Sequence, residues 1–223
     1  MRIFALLVIA VTVLLNMGAT YAAGDPAAGQ SKAVVCDGCH GHNSKNPMAP
    51  QLAGQPESYT IQEIHDFRSG VRKDPVMNAM VIPLTNDQDI EDIAAYYAGL
   101  SHQIERPKKL SVTLRMGERL YINKCEMCHG LYGKGRRIEE MGAVFGAGKT
   151  GKSIGVPLIG GQPKGYLIKA LSDYRAGIRK STYELGMDVV LRRTTEEQIV
   201  LVAKYLSSLS KRRAAANPFA SPN

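Results

Sequence analysis

The sequence predicts an all-α chain built as two tandem domains, and three observations carry that prediction. The pentapeptide Cys36-Asp37-Gly38-Cys39-His40 returns as Cys125-Glu126-Met127-Cys128-His129, and the two copies use all four cysteines. A longer block repeats at a shift of 107 residues: Pro50-Gln51-Leu52-Ala53-Gly54-Gln55-Pro56 answers Pro157-Leu158-Ile159-Gly160-Gly161-Gln162-Pro163, Tyr59 answers Tyr166, and residues 66–73 answer 173–180. Apolar residues recur at helical spacing, and no alternating run long enough for a strand occurs. A chain of 223 residues accommodates two small domains.

The N-terminus reads as a secretory signal, with Arg2, the apolar run Ile3 to Leu15, and small residues before a cleavage point after Ala22. The apolar run is too short to span a bilayer comfortably. We therefore expect a signal peptide at 1–22, domains at 23–102 and 113–210, a linker at 103–112 and a basic tail at 211–223. Asp25-Pro26 marks a helix start, cap then first turn, and that helix is expected to run into Cys36. Its counterpart covers Leu114 to Lys124, with Leu114, Gly117, Leu120 and Tyr121 on one face. Gly29 and Gly117 each cost a helix about 1 kcal/mol relative to alanine; either a neighbouring helix comes close there or the glycines are incidental.

Residues 58–69 and 164–176 have helical periodicity and end at Gly70 and Gly177, which suit C-terminal caps. Each is followed by a loop carrying methionine: Met77 and Met80 in the first half, Met187 in the second. The closing helices, 86–100 and 195–208, begin with acidic turns that complement the helix dipole. The pentapeptides lie 89 residues apart while the later block lies 107 apart, so about 18 extra residues fall within 130–155. That Gly- and Lys-rich insertion should be a surface loop. Its Gly146-Ala147-Gly148-Lys149-Thr150 lacks the spacing of a phosphate loop.

The formal charge of +8 hides an asymmetry. Residues 24–103 hold 5 Lys and Arg against 10 Asp and Glu, a net −5; residues 104–223 hold 22 against 10, a net +12. Basic and acidic residues are interspersed with no aromatic platform, which argues against nucleic acid and for steering of oppositely charged protein partners.

Cys-x-x-Cys-His is the attachment signature of c-type haem: two thiols on one helical turn reach the vinyl groups and the adjacent imidazole reaches the iron. Zinc, a thioredoxin-like pair and two disulfides are the rival uses of four cysteines. The histidine directly after both pairs, the absence of a leftover cysteine and the export signal favour two covalently bound haem c groups. Aromatic residues make up only 6% of the chain, with no Trp, so a large apolar macrocycle would complete each thin core. Cys36, Cys39, Cys125 and Cys128 are the attachment residues, and His40 and His129 the first iron ligands. The second ligand decides function, because a thioether there gives a closed electron-carrying site. The second half offers Met187. In the first half Met77 is preferred to Met80 on its distance from the closing helix, with Met48 third. His42, His65 and His102 are assigned to the surface.

Together the two pentapeptides, the Leu-Ala-Gly-Gln and Ile-Gly-Gly-Gln turns, the Asp66-Phe67-Arg68-Ser69-Gly70 segment and the run Leu84-Thr85-Asn86-Asp87-Gln88-Asp89-Ile90 into Ala94-Ala95-Tyr96-Tyr97 resemble the dihaem class I cytochromes c of the cytochrome c4 family. The resemblance covers the whole mature chain. It implies two class I cytochrome c domains related by pseudo-twofold symmetry, His/Met ligation at both irons, and carbonyls of Pro50 and Pro157 accepting from the proximal imidazoles. The first methionine loop is short, the insertion before Pro157 is long, and the segment Leu191 to Thr195 lacks the apolar residue usual there.

The expected function is a periplasmic electron carrier, not an enzyme, working between a quinol-oxidising complex or dehydrogenase and a terminal oxidase or reductase. Peripheral association with a membrane is left open. The alternatives are the cytochrome subunit of a larger oxidoreductase, such as a flavocytochrome c sulfide dehydrogenase, or a dihaem thiosulfate dehydrogenase.

Overall fold

The computed structural model describes residues 24–41, 46–136, 155–181 and 186–209. The expected signal peptide, His42, Met141, most of the insertion and the basic tail lie outside the described residues.

Each half opens with a helix whose start is written locally. Helix α1, Pro26–Lys32, is capped by the Asp25 carboxylate, which accepts from the N–H groups of Ala27 and Ala28, with Pro26 at its first turn. A turn at Ala33 separates it from α2, Val34–His40, so the helix expected to run unbroken into Cys36 is two segments. Helices α3 (Glu57–Arg68), α4 (Pro75–Val81) and α5 (Asp87–Gly99) complete the first half. The second half consists of α6 (Val112–Lys124), α7 (Glu126–His129), a 3-10 turn at Leu131–Gly133, α8 (Lys164–Arg175), α9 (Met187–Leu191) and α10 (Glu196–Ser207). Thr195 and Gln198 form a capping box at the start of α10. Among the described residues there is no strand; an isolated antiparallel bridge between Arg136 and Val156 pins the base of the insertion.

In both halves the first helix crosses the closing helix at a glycine. A Cβ on Gly29 would collide with the backbone carbonyl of Asp92, and one on Gly117 with that of Leu201. Close approach, not incident, explains both glycines. Beyond α3 and α8 the chain turns at Gly70 (φ +75°) and Gly177 (φ +72°), where a left-handed backbone favours glycine.

The methionine segments differ from expectation. Both are short helices, not loops; Asp74 caps α4 by accepting from the N–H groups of Val76 and Met77, with Pro75 in the first turn, while α9 starts at Gly186 without a side-chain cap. Asn78 ties the segment down by donating to the carbonyls of Phe67 and Arg72.

The second half has one contiguous core, around Tyr121, Leu167, Leu191, Ile199, Tyr205 and Leu206. The first half has two smaller clusters, Ala33-Ile93-Tyr96-Tyr97 and Ile64-Phe67-Val81-Ile90. The segment expected as a linker packs on the second half: the N–H of Glu105 donates to Leu209 O (2.8 Å), Leu110 is buried, and Arg106 pairs with Glu118 (2.7 Å). Helix α6 begins at Val112, one residue inside the expected linker.

The halves meet through two reciprocal clasps. Gln55 Nε2 donates to Leu158 O (2.7 Å) while its Oε1 accepts from Leu158 N (3.0 Å). Gln162 Nε2 donates to Gln51 O (2.9 Å) while its Oε1 accepts from Gln51 N (2.8 Å). Gln55 and Gln162 are repeat-equivalent, as are Gln51 and Leu158, so the contact is self-complementary about a pseudo-twofold axis.

Candidate functional site

Each pentapeptide ends a helix at the wall of a cavity. The first cavity is lined by Cys36, Cys39, His40, Met77 and Met80 among largely apolar neighbours, the second by Cys125, Cys128, His129 and Met187. The four thiols are not joined as disulfides. Among the described residues no three His, Cys, Asp or Glu side chains converge as a metal cluster, which leaves the zinc reading without a ligand set.

Each site histidine is tethered to a proline carbonyl. His40 Nδ1 lies 2.7 Å from Pro50 O, and His129 Nδ1 lies 3.0 Å from Pro157 O. A carbonyl only accepts, so Nδ1 carries the proton in both rings and the lone pair resides on Nε2. Both residues are buried, and burial pushes both imidazoles below their ordinary pKa against the opposing pull of the carbonyl bond. They are neutral at pH 7, the form that ligates a metal. Burial likewise raises the thiols of Cys36 and Cys128, and pushes Cys125 up to about 12.

The motif helices are anchored differently. Tyr97 donates to Asp37 Oδ1 (2.6 Å) inside the first pentapeptide. Just past the second, Tyr121 donates to the Gly130 carbonyl.

Among the methionines, Met77 is half-buried against Ile64, Phe67, Val81 and Ile90, whereas Met80 is exposed. Met187 is half-buried against the second core. Met77 lies four residues before the buried Val81 on α4, and Met187 four before the buried Leu191 on α9. The two thus occupy the same register, one helical turn before the residue that seals the cavity. Met48 lines the first cavity from an exposed turn, and Met127 is exposed.

Two expectations need adjustment. His102 is half-buried with Nε2 3.0 Å from Gly160 O, so it belongs between the halves and not to the surface. The apolar residue missing from the second closing segment is replaced by Thr194, which is buried, donates to Val190 O (3.2 Å) and accepts from Lys124 Nζ (3.3 Å). Sequence reasoning also passed over Gln55, Gln162 and the charged group Glu63, Arg72 and Arg179; the 107-residue repeat was the signal that could have flagged them.

The residues fit a haem in each half: a neutral imidazole with a free Nε2, two thiols on the adjacent turn, a methionine sulfur on another helix, and apolar walls. Comparison with known proteins agrees. A cytochrome c family model matches residues 114–210. Cytochrome c4 of Pseudomonas aeruginosa is 34% identical over 209 residues, spanning 89% of this chain and 97% of that one. A thiosulfate dehydrogenase electron acceptor of Stutzerimonas stutzeri is 27% identical over 192 residues, 81% of each. The crystal structure of reduced recombinant cytochrome c4 from Pseudomonas stutzeri matches with a TM-score of 0.68 at 30% identity, covering 84% of this chain and 100% of that one. Paired cavities of one plan and likeness along nearly the whole chain lead to one conclusion: this protein belongs to the cytochrome c4 family, binding haem c covalently and carrying electrons without transforming a substrate.

Proposed function

We propose that Cys36 and Cys39 hold one haem and Cys125 and Cys128 the other, with His40 and His129 as proximal ligands and Met77 and Met187 as distal ones. The domains run 23–102 and 113–210 behind a signal peptide at 1–22, and the mature chain is a periplasmic electron shuttle. The observation that carries this reading is the matched pair of imidazoles, each tethered through Nδ1 to a repeat-equivalent proline carbonyl and each sharing a cavity with a methionine in the same helical register.

When bound, each haem supplies a one-electron ferric/ferrous couple. The residues of this chain hold that couple closed. Pro50 and Pro157 orient the imidazoles and raise their basicity, the apolar walls keep water out, and the thioethers favour the reduced form. The acidic first half and basic second half orient the molecule toward partners of opposite charge.

The donor is a quinol-oxidising complex or a dehydrogenase, and the acceptor a terminal oxidase or reductase. The likeness to thiosulfate dehydrogenase electron acceptors supports a dehydrogenase donor. No helix among the described residues is long and apolar enough to cross a membrane. Exposure of the reduced holoprotein to carbon monoxide tests the reading. A closed His/Met pair leaves the spectrum unchanged; carbon monoxide binding at both irons of the native protein overturns it.

A further inference from the structure

Among the residues that line both cavities, the repeat that relates the halves loses a charge at one position. Tyr59 answers Tyr166, Asp66 answers Asp173 and Arg72 answers Arg179, but Glu63 answers Ala170. The lone carboxylate does not stay within its own half. Glu63 Oε2 accepts from Arg72 Nη1 and Oε1 from Arg179 Nη2 of the second half, and Arg179 Nη2 also donates to Tyr59 Oη (3.0 Å). The side chains of Glu63, Arg72 and Arg179 are at most 16% exposed, so water screens them little. Glu63, Arg179, Tyr59 and Tyr166 each line both cavities.

The charge of Glu63 is secure. Burial alone would raise its carboxyl, but Arg179 and Arg72 together hold it below the ordinary carboxylate range. Within this hydrogen-bonded group two guanidinium groups face one carboxylate, a net of one positive charge. A counterpart glutamate at position 170 would have cancelled it; with alanine there, Glu63 is, among the described residues, the carboxylate hydrogen-bonded to the arginines of both halves.

We propose that Glu63 sets the redox potentials of both haems, its fixed negative charge lowering the two midpoints together and offsetting the arginine pair at the domain seam. The proposal rests on the reading above, that haems occupy these two cavities. A fixed anion in a poorly screened site stabilises the ferric state, which carries one more positive charge than the ferrous, and so lowers the potential. Because Glu63 faces both cavities, the effect reaches both centres, unlike that of a charge buried in one domain.

The test is a spectroelectrochemical titration of holoprotein for wild type, Glu63→Gln and Glu63→Asp, with the haem content of each measured first. Two haems per chain in the wild type are the premise, and their absence would overturn the haem reading itself, separately from this proposal. With two haems present, Glu63→Gln should raise both midpoints, while Glu63→Asp, which keeps the charge, should stay near wild type. Unchanged midpoints in Glu63→Gln, a shift confined to one haem, or an equal shift in Glu63→Asp would each overturn the assignment. Should Glu63→Gln fail to mature, Arg72→Gln provides the opposite arm. It removes a positive charge from the same group and must lower the midpoints; a rise or no change there also overturns the assignment.

Discussion

Gln162 reaches across the molecule and holds both backbone polar groups of Gln51, and the pseudo-twofold operation turns that contact into the grip of Gln55 on Leu158. Both glutamines are buried, at 4% for Gln55 and 1% for Gln162; truncating Gln55 strips the buried Leu158 N–H of its partner and weakens the hold on its carbonyl, and truncating Gln162 unpairs the N–H and carbonyl of the half-buried Gln51. Each such group costs about 1–3 kcal/mol beyond the bond itself. We expect Gln55→Ala and Gln162→Ala each to lower unfolding stability by about 2–4 kcal/mol, and the double variant to unfold in two separated transitions. Urea melts of the holoprotein followed at the Soret band would show this; a single unshifted transition in the double variant would remove the clasp from the coupling of the halves.

Gly29 and Gly117 give a test of sign. By intrinsic propensity, alanine at either position should stabilise a helix by about 1 kcal/mol. The structure demands the opposite, because the new methyl meets the backbone carbonyls of Asp92 and Leu201, which have no rotamer by which to yield. Separating the crossed helices costs about 1–3 kcal/mol or more. We expect Gly29→Ala and Gly117→Ala both to be destabilising in thermal unfolding. A gain in either would mean the helices cross with slack.

The parts of this molecule that could be read from its sequence are those whose signals are local. Asp25, Asn86 and Thr195 announce helix starts because the cap and the N–H groups it satisfies lie within three residues. The pentapeptides are legible for the same reason. Gln55 and Gln162 were not, since their partners lie 103 and 111 residues away and a glutamine in a glycine turn reads as surface. The segment at Met77 reads as a loop between Gly70 and the closing helix, although Asp74-Pro75 carries the same cap-and-proline signal as Asp25-Pro26. Glu63 sits between Gln62 and Ile64 on α3, where a glutamate reads as solvated, and only its departure from the repeat sets it apart.

Asp92 links stability to pH in the first half. It is buried on α5 and accepts from the Asp25 N–H (2.8 Å), Gln88 Nε2 (2.9 Å) and Lys32 Nζ, fastening α1 to the closing helix. Burial would raise this carboxyl, but the bonds from Lys32, Asp25 and Gln88 more than offset it and hold the pKa at about 2, against 3.8 for the free side chain. A depressed carboxylate contributes stability that is fully present above its unfolded value and is lost as pH falls through the folded one. We expect on the order of 2 kcal/mol from this group above pH 4, disappearing between about pH 4 and pH 2. Asp92→Asn should flatten that part of the acid limb, measured as denaturation midpoint against pH; an unchanged limb would place the acid sensitivity elsewhere.

The choice between Met77 and Met80 follows from register. On α4 the two are three residues apart and both line the first cavity, so proximity alone does not separate them. Burial and symmetry favour Met77: it packs inward one turn before Val81, as Met187 does before Leu191, while Met80 is 42% exposed. We therefore expect Met77→Ala and Met187→Ala each to lower the midpoint of one haem and to open it to carbon monoxide or imidazole, because loss of the thioether removes the ligand that favours ferrous iron. Met80→Ala should leave both midpoints and the closed spectrum unchanged. Should Met80→Ala instead produce an exchangeable site while Met77→Ala does not, then α4 turns in the haem-bound protein, and the distal ligand of the first half lies one turn further along the helix.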